Sequence, residues 1–243
     1  MKRLSAQEML VIWESRMQYP AIERSLHLLS VLYNTDVETI GRLSIGERDA
    51  RLIKFREWIF GANLMNVSHC PKCKTSVEWE TDIRDILLQS VETEATVKTL
   101  HLEEEGYQVA FRLPNSFDII EVLNNKQLDY DPVRLLSRCV LNIQHENNIK
   151  VAELPTQLII KMEALMSEAD PLADITMVLN CPECNHQWHS TFNILNYLWL
   201  EIDNWAKKLL REVASLARAF GWSERDILNL SYCRRRMYLD LIN

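Results

Sequence analysis

The chain has 243 residues, of which 47% are apolar, and this is enough material to bury one large core or two small ones without disulfides. A formal net charge of -7 and a pI near 5.5 exclude strong, non-specific binding to a phosphate backbone as the default function. Glycine is scarce at five residues, and none of them forms a cluster that could cradle the phosphates of a nucleotide.

The first part of the chain is predicted to be a helical bundle. Apolar spacing, breaks and caps predict helices at Ala6 to Met17, at Ile22 to Leu32, from the cap Asp36 to Leu43, and at Ile45 to Phe60. Pro20 separates the first two helices, and Gly61 stands where the C-cap of the fourth is expected.

The middle of the chain is predicted to mix strands with helices. Two β-prone runs between Thr96 and Leu113 flank the polar stretch around Gly106, and they predict a hairpin. Helices are predicted at Phe117 to Asn124, Pro132 to Ile143 and Thr156 to Glu168, and a strand at Ile175 to Leu179. The segment from Asp170 to Asp174 is interpreted as a structured connector and not as an acid/base pair.

The C-terminal third contains the most regular pattern. One long amphipathic helix is predicted from Asn193 to about Phe220, where Gly221 ends it. Its stripe of Trp and Leu favours packing on a core, and docking of a partner helix remains an alternative. Two short helices are predicted after it, at Ile227 to Leu230 behind the capping pair Ser223 and Asp226, and at about Tyr232 to Ile242.

Four of the six cysteines form two copies of the pattern C-P-x-C, at Cys70, Cys73, Cys181 and Cys184. Two residues between thiolates allow a tight turn to aim both sulfurs at one ion, and the proline stiffens that turn. Two such half-sites complete a tetrahedral site with no position open for water, as is typical of structural zinc. We therefore predict one structural Zn²⁺, although more than a hundred residues separate the half-sites.

The two half-sites lie in the same local pattern. Cys70 to Leu87 reads CPKCKTSVEWETDIRDIL and Cys181 to Leu198 reads CPECNHQWHSTFNILNYL, and the two align without gaps. In each, a β-prone run leads to a helix-capping residue, Asp82 or Asn193. The repeat predicts one zinc ribbon made of two distant halves, whose metal ties the N-terminal third of the chain to the C-terminal third.

Other roles for these residues remain open at the level of sequence. The two motifs can be unrelated reduced turns, or they can form a site shared between subunits. His69, His186 and His189 lie beside the motifs and can replace a cysteine, although four thiolates already fill the site. Cys139 and Cys233 lack a C-x-x-C partner and are predicted to be small core residues. A thioredoxin-like redox role is disfavoured because neither motif opens a helix in a βαβ unit.

Few other residues indicate a function. The basic run Arg234 to Arg236 is the best case for nucleic acid, and it motivates the alternative of a zinc-ribbon nucleic-acid-binding protein. Against the negative net charge, we interpret the run as a solvated face or as a contact for an acidic partner. No nucleophile or metalloprotease motif is present, so no catalytic or cofactor-binding residue is predicted and the protein is expected not to be an enzyme.

Several segments, in a fixed order, resemble one known family. They are CPKC, FRLP (Phe111 to Pro114), DPLADI (Asp170 to Ile175), CPEC, LWLEIDNWAKKLLREV (Leu198 to Val213) and the ending ARAFGWSERDILNLSYCRRRMYLDLI (Ala217 to Ile242). From about Ala21 onward, the chain resembles the baseplate hub assembly chaperone family of T-even-like phages and phage tail-like contractile injection systems. The ending is the most specific part of the resemblance.

The resemblance implies a non-catalytic assembly factor or structural component for the baseplate hub of a contractile tail. Hub or spike proteins are the implied partners, and only the four cysteines carry over as site residues. We expect the protein in the bacterial cytoplasm or associated with a particle, because no signal peptide or membrane-length apolar stretch is recognisable. No membrane or small-molecule substrate is expected as a partner.

The predicted fold is mainly α with a small β component, in which helical bundle segments are joined by a discontinuous zinc ribbon and a β-hairpin. The predicted segments are an N-terminal helical region (1–61), the first half of the ribbon (62–91), an inserted hairpin with helices (92–174), the second half of the ribbon (175–192), and a long helix with a helical tail (193–243).

Overall fold

A computed structural model of the chain describes residues 1–15, 17–87, 99–124, 132–145 and 154–242. The α-helices there are α1 (Ala6–Ser15), α2 (Ala21–Tyr33), α3 (Val37–Gly41), α4 (Ile45–Phe60), α5 (Ile83–Leu87), α6 (Ser116–Asn124), α7 (Pro132–Cys139), α8 (Thr156–Ala169), α9 (Ile194–Phe220), α10 (Glu224–Leu228) and α11 (Tyr232–Asp240). The strands are β1 (Asn63–His69), β2 (Ser76–Asp82), β3 (Thr99–Glu104), β4 (Tyr107–Arg112), β5 (Val140–Gln144), β6 (Ile175–Asn180) and β7 (Gln187–Phe192). The mainly α fold with small antiparallel sheets is confirmed.

The chain forms two compact units. One consists of Met1–Asn34 with Leu195–Asn243, and the other of Thr35–Ile194. Helices α1 and α2 therefore belong to the first unit, whereas α3 and α4 belong to the second. The finer division of the chain into five segments stays a prediction.

In the first unit, tryptophan side chains link the N-terminal helices to α9. Trp199 donates its indole N–H to Ser25 Oγ at 2.8 Å, and Trp13 donates to Asp203 at 2.9 Å. The Arg24 guanidinium lies over the Trp199 ring, 3.9 Å from its centroid. These partners satisfy the indole N–H groups, so the large apolar rings can be buried. The buried apolar residues around them include Leu26, Leu28, Leu29, Leu32, Ile202, Ala206, Leu209 and Leu216.

In the second unit, α4 has the bounds that its sequence predicts. Ser44 accepts a hydrogen bond from the Glu47 N–H at 3.2 Å, and the Glu47 carboxylate accepts one from the Ser44 N–H at 3.4 Å. This capping box satisfies two donors that the helix leaves free at its start. At the other end, Gly61 adopts a φ of 90° and donates its N–H to Glu57 O at 2.9 Å.

A buried polar network surrounds the start of α4. Arg48 donates to Asp49 at 2.7 Å and to Ser116 Oγ at 3.0 Å, and Asp170 Oδ2 accepts the Gly46 N–H at 2.9 Å. Burial raises the pKa of both aspartates, Asp49 and Asp170. A Cβ on Gly46 would lie 2.0 Å from Asp170 Oδ1, which leaves no room for a side chain. The connector at Asp170 is thus a structural anchor for α4.

The three-stranded sheet has the order β3-β4-β5, and all its pairs are antiparallel. Glu105 and Gly106 form the two-residue turn of its first hairpin with φ values of 51° and 81°, the signs that a type I′ turn requires. The predicted hairpin is present from Thr99 onward, and residues 96–98 lie outside the described part of the chain. The hydrophobic core to which the sheet contributes contains the buried residues Val109, Phe111, Leu136, Leu154, Leu158 and Met162.

The helix predicted from Pro132 to Ile143 is confirmed as far as Cys139 and is wrong from Val140 onward. Helix α7 ends at Cys139, and the next residue begins β5, which pairs with the free edge of β4. Val140 and Ile143 are three residues apart, which is the spacing of a helix face, whereas a regular strand would place them on opposite sides. A register shift opposite Ala110 and Phe111 allows both to pack on the same core. Pairing with a distant strand decides between the two states, as is usual for short apolar runs.

Candidate metal centre

Two β-hairpins, β1–β2 and β6–β7, bear the four cysteines of the C-P-x-C motifs. The last strand pair before the turn is His69 with Ser76 in the first hairpin and Asn180 with Gln187 in the second. Counted from the first cysteine of each motif, these are the same positions. The gap-free repeat in the sequence therefore corresponds to a repeat of strand register.

The turn of the first hairpin is closed by two backbone hydrogen bonds. Cys70 donates its N–H to Thr75 O at 2.9 Å, and Cys70 O accepts the Lys74 N–H at 2.9 Å. Lys74 adopts a φ of 63°, in the left-handed region that a residue with a side chain adopts only at some cost. The turn thus requires one strained residue directly after the second cysteine.

The turn of the second hairpin has the same construction. Cys181 donates its N–H to His186 O at 2.9 Å and accepts the Asn185 N–H at 3.0 Å. Asn185 occupies the position equivalent to Lys74 and adopts a φ of 53°. Asparagine tolerates this conformation better than lysine does, because its short polar side chain can bond locally.

The structure brings the four predicted ligands together. Their Sγ atoms all lie within 4.8 Å of one another. Two of these separations are 3.6 Å between Cys70 and Cys184 and 3.5 Å between Cys73 and Cys181. A tetrahedral ion with metal–sulfur bonds of about 2.3 Å requires sulfur–sulfur separations of about 3.8 Å. The cluster therefore fits one four-coordinate ion, and its separations exceed the ~2.05 Å of a disulfide bond.

The close sulfur pairs follow the symmetry of the repeat. Each joins the first cysteine of one motif to the second cysteine of the other. The first cysteines, Cys70 and Cys181, are buried, whereas Cys73 is exposed and Cys184 is partly exposed. One side of the cluster thus faces the protein interior and the other faces solvent in both halves.

The electrostatics of the cluster favour some thiolates and oppose others. Hydrogen bonds from the Thr75 hydroxyl and backbone N–H lower the pKa of Cys73 to about 6. At Cys184 a backbone hydrogen bond from His186 also favours the thiolate, but burial and the other three thiols outweigh it and raise its pKa to about 12. Four adjacent thiols cannot all ionise without a cation, so binding of a divalent metal would release protons.

The sequence of the chain matches one protein family over most of its length. Residues 6–199 match the family model of the T4 bacteriophage base plate protein. The chain belongs to this family. No curated protein and no solved structure matches it.

Membership in the base plate family agrees with the baseplate resemblance drawn from the sequence. The matched residues contain all four cysteines, both hairpins and the first turns of α9. The ending from Ala217 to Ile242 lies beyond the matched range, so its part in the resemblance stays a prediction. In the part of the chain that the structure describes, no helix combines the length and apolar character that a membrane crossing needs.

Three histidines and two further cysteines have different surroundings in the structure. His69 and His189 are exposed, and His186 stacks on Trp188 with ring centroids 6.4 Å apart. Among the described residues, the group with metal-binding geometry contains the four cysteines and no histidine. Cys139 is buried, which raises its pKa to about 12, but the prediction that Cys233 is a core residue is wrong because it is exposed. It follows a helix cap on the solvent side of α11, where apolar spacing gives no signal.

The basic run near the C-terminus is not one continuous patch. Arg235 is buried and donates from Nε to Glu212 at 3.0 Å, whereas Arg234 and Arg236 are exposed. The three arginines therefore face different surroundings, because consecutive residues point in different directions around a helix.

Thr75 lies beside the cluster but belongs to neither C-P-x-C motif. Its hydroxyl lies 3.3 Å from Cys73 Sγ, and it is the side chain beside the cluster that most favours a thiolate there. The signal available in the sequence was a hydroxyl residue two positions after the second cysteine, but the equivalent residue in the second motif is His186. Comparison of the two motifs therefore does not identify Thr75.

Proposed function

We propose that this protein is a non-catalytic assembly factor or structural component of the baseplate hub in a contractile phage tail or tail-like injection system. The observation that supports the proposal is the match of residues 6–199 to the base plate family. The hub as the place of action, and assistance to assembly as the role, come from the sequence resemblance.

A structural zinc ion is the second part of the proposal, with Cys70, Cys73, Cys181 and Cys184 as its four ligands. The sulfur geometry supports tetrahedral coordination, and four thiolates favour Zn²⁺ over hard cations such as Mg²⁺. When bound, the ion would supply a cross-link between residues distant in sequence. It would hold the tips of the two hairpins together, which short two-stranded sheets cannot achieve by hydrogen bonds alone.

A non-catalytic role is part of the proposal, and the same ligand set supports it. Four protein sulfurs fill the coordination sphere of a tetrahedral ion, so no position is left for a water or a substrate. The buried carboxylates Asp49 and Asp170 are engaged by Arg48 and the Gly46 N–H around the start of α4. Both carboxylates accept hydrogen bonds within the fold, and neither lies in the cysteine cluster.

We propose hub or spike proteins as the partners, and a place in the bacterial cytoplasm or on the particle. Deletion of the gene in its native cluster should abolish sheathed particles, and the wild-type gene supplied in trans should restore them. A complementing Cys70→Ser variant should restore few particles, whereas Cys233→Ser should restore them fully. Normal particles after deletion, counted by electron microscopy, would contradict an assembly role.

Zinc-ribbon binding of nucleic acid remains the alternative that the sequence suggests. The burial of Arg235 and its pairing with Glu212 reduce the basic run to two exposed arginines. A gel-shift assay at low salt distinguishes the two functions, since binding to DNA or RNA would favour the alternative.

A further inference from the structure

The two compact units carry opposite net charges. Residues 35–194 contain 15 basic and 25 acidic residues, a net charge of -10, whereas the remaining residues contain 12 basic and 9 acidic residues, a net charge of +3. Opposite charges on two parts of one chain favour association between the positive part of one copy and the negative part of another. An exposed surface on each unit combines apolar and charged side chains suited to such a contact.

The first surface is the outward side of the β1–β2 hairpin, which we call the acidic hairpin face. Its members are Met65, Val67, Glu78 and Glu80, all of them exposed. Val67 pairs with Glu78 and Met65 with Glu80, so an apolar row on β1 lies beside an acidic row on β2. Val67 leaves 58% of its surface in solvent. In the part of the chain that the structure describes, neither glutamate forms an ion pair.

The second surface is the outward side of α11, which we call the basic helix face. Cys233, Met237 and Leu241 are spaced four residues apart and form an exposed apolar row, with Arg234 and Arg236 on its two flanks. Met237 is 66% exposed and Leu241 is 74% exposed. Arg236 lies 4.0 Å from Asp240, and Arg234 is in no ion pair of the described residues. The face thus combines exposed apolar surface with the positive charge of Arg234, which the described residues leave unpaired.

We propose that the basic helix face of one copy docks on the acidic hairpin face of a second copy. Residues two apart on a strand are about 6.7 Å apart, and residues four apart on a helix are about 6 Å apart, so the two apolar rows have matching intervals. Arg234, on one flank of its row, then meets the glutamate row. The contact does not depend on the baseplate function.

The docked pair is a heterologous, head-to-tail contact, because the two faces are different surfaces of the chain. Each bound copy retains one unused face, so association continues into a ring if the rotation closes and into an open chain if it does not. Exposed charge pairs dominate the attraction, so the association weakens as salt shortens the range of electrostatic forces.

Analytical ultracentrifugation of the full chain tests the proposal. The wild-type protein should exceed its monomer mass of 28.5 kDa as concentration rises, and should return toward it when NaCl is raised from about 0.05 to about 0.5 M. The double variant Glu78→Arg, Glu80→Arg should weaken association at least about tenfold, and so should Arg234→Glu, Arg236→Glu, because each reverses the charge that one face presents to the other.

The decisive experiment is to mix the two double variants and measure whether association returns. Each has a reversed face that complements the reversed face of the other, so the mixture should associate again although each variant alone does not. The matched control is His189→Arg, Thr191→Arg, which places the same charges at the equivalent positions of the second hairpin and should leave association unchanged. Circular dichroism checks that every variant is folded.

Three results would overturn the proposal. The first is a wild-type protein that stays monomeric at low salt up to about 0.2 mM, a concentration at which even weak specific contacts are populated. The second is association that neither double variant weakens. The third is weakening without recovery in the mixture, because it would assign the faces to a different partner or to a contact within one chain.

Discussion

The hairpins β1–β2 and β6–β7 have the same turn, the same register and the same placement of cysteines, yet their outward sides differ. Val67 has the equivalent Val178, whereas Glu78 and Glu80 are replaced by His189 and Thr191. The shared features are those that a four-sulfur metal site requires. The differing features are side chains outside the cysteine cluster, so each half can acquire its own surface.

Loss of a ligand should have the largest effect on this pair of hairpins. Cys70→Ser and Cys181→Ser should each abolish stoichiometric zinc and lower the free energy of unfolding by at least about 3 kcal/mol, since metal binding and folding are linked. Because the two residues are equivalent, their effects should agree within about 1 kcal/mol. Denaturant titration and metal analysis measure both quantities.

The control for ligand loss is Cys233→Ser, which removes an exposed thiol and should change neither zinc content nor stability. A ligand variant that loses zinc but keeps full stability would show that the metal does not support the fold.

A variant distant from the metal separates general destabilisation from metal loss. Gly46→Ala places a methyl group 2.0 Å from Asp170 Oδ1, and should cost about 2–4 kcal/mol through overpacking and displacement of a buried carboxylate. Zinc should still bind with one-to-one stoichiometry. Unchanged thermal stability would show that the Asp170 anchor is dispensable.

Removal of the Thr75 hydroxyl should have an intermediate effect. Thr75→Val removes the hydroxyl beside Cys73 Sγ, which can donate a hydrogen bond to the sulfur once the thiol is deprotonated. The change should weaken zinc binding about tenfold, the usual size for a residue that supports a metal ligand. Thr75→Ser keeps the hydroxyl and should bind zinc nearly as well as the wild type. Competition with a chromogenic chelator gives both affinities, and equal weakening in the two variants would indicate a packing effect.

Exchange of the left-handed turn residues should have the smallest effect. Lys74→Asn gives the first turn the residue of the second and should stabilise the protein by about 0.5 kcal/mol. Asn185→Lys should destabilise it by a similar amount, about 0.5 kcal/mol, for the same reason. Two changes of the same sign, measured by denaturant titration, would show that the two turns are not energetically equivalent.

The four-cysteine cluster could be predicted from sequence because its chemistry is local. Two residues between thiolates specify a turn, and the repeat around them identified the partner half-site across the intervening chain. Strong caps made α4 predictable for a similar reason, since Ser44, Glu47 and Gly61 encode both of its ends.

The features that could not be predicted depend on contacts between distant residues. Strand β5 forms where β4 offers a free edge, and the local sequence from Val140 to Ile143 does not determine that choice. The fit of Gly46 against Asp170 joins residues 124 positions apart, and no spacing rule connects them. The contact of Thr75 with Cys73 lacks an equivalent in the second half, so comparison of the repeats could not reveal it.

X-ray absorption spectroscopy of the purified protein, combined with metal analysis, is the sharpest test of the four-cysteine zinc site. We expect one zinc per chain, coordinated by four sulfur atoms at about 2.3 Å with no nitrogen or oxygen ligand. A site with mixed ligands, or a folded and stable protein that contains no metal, would contradict it.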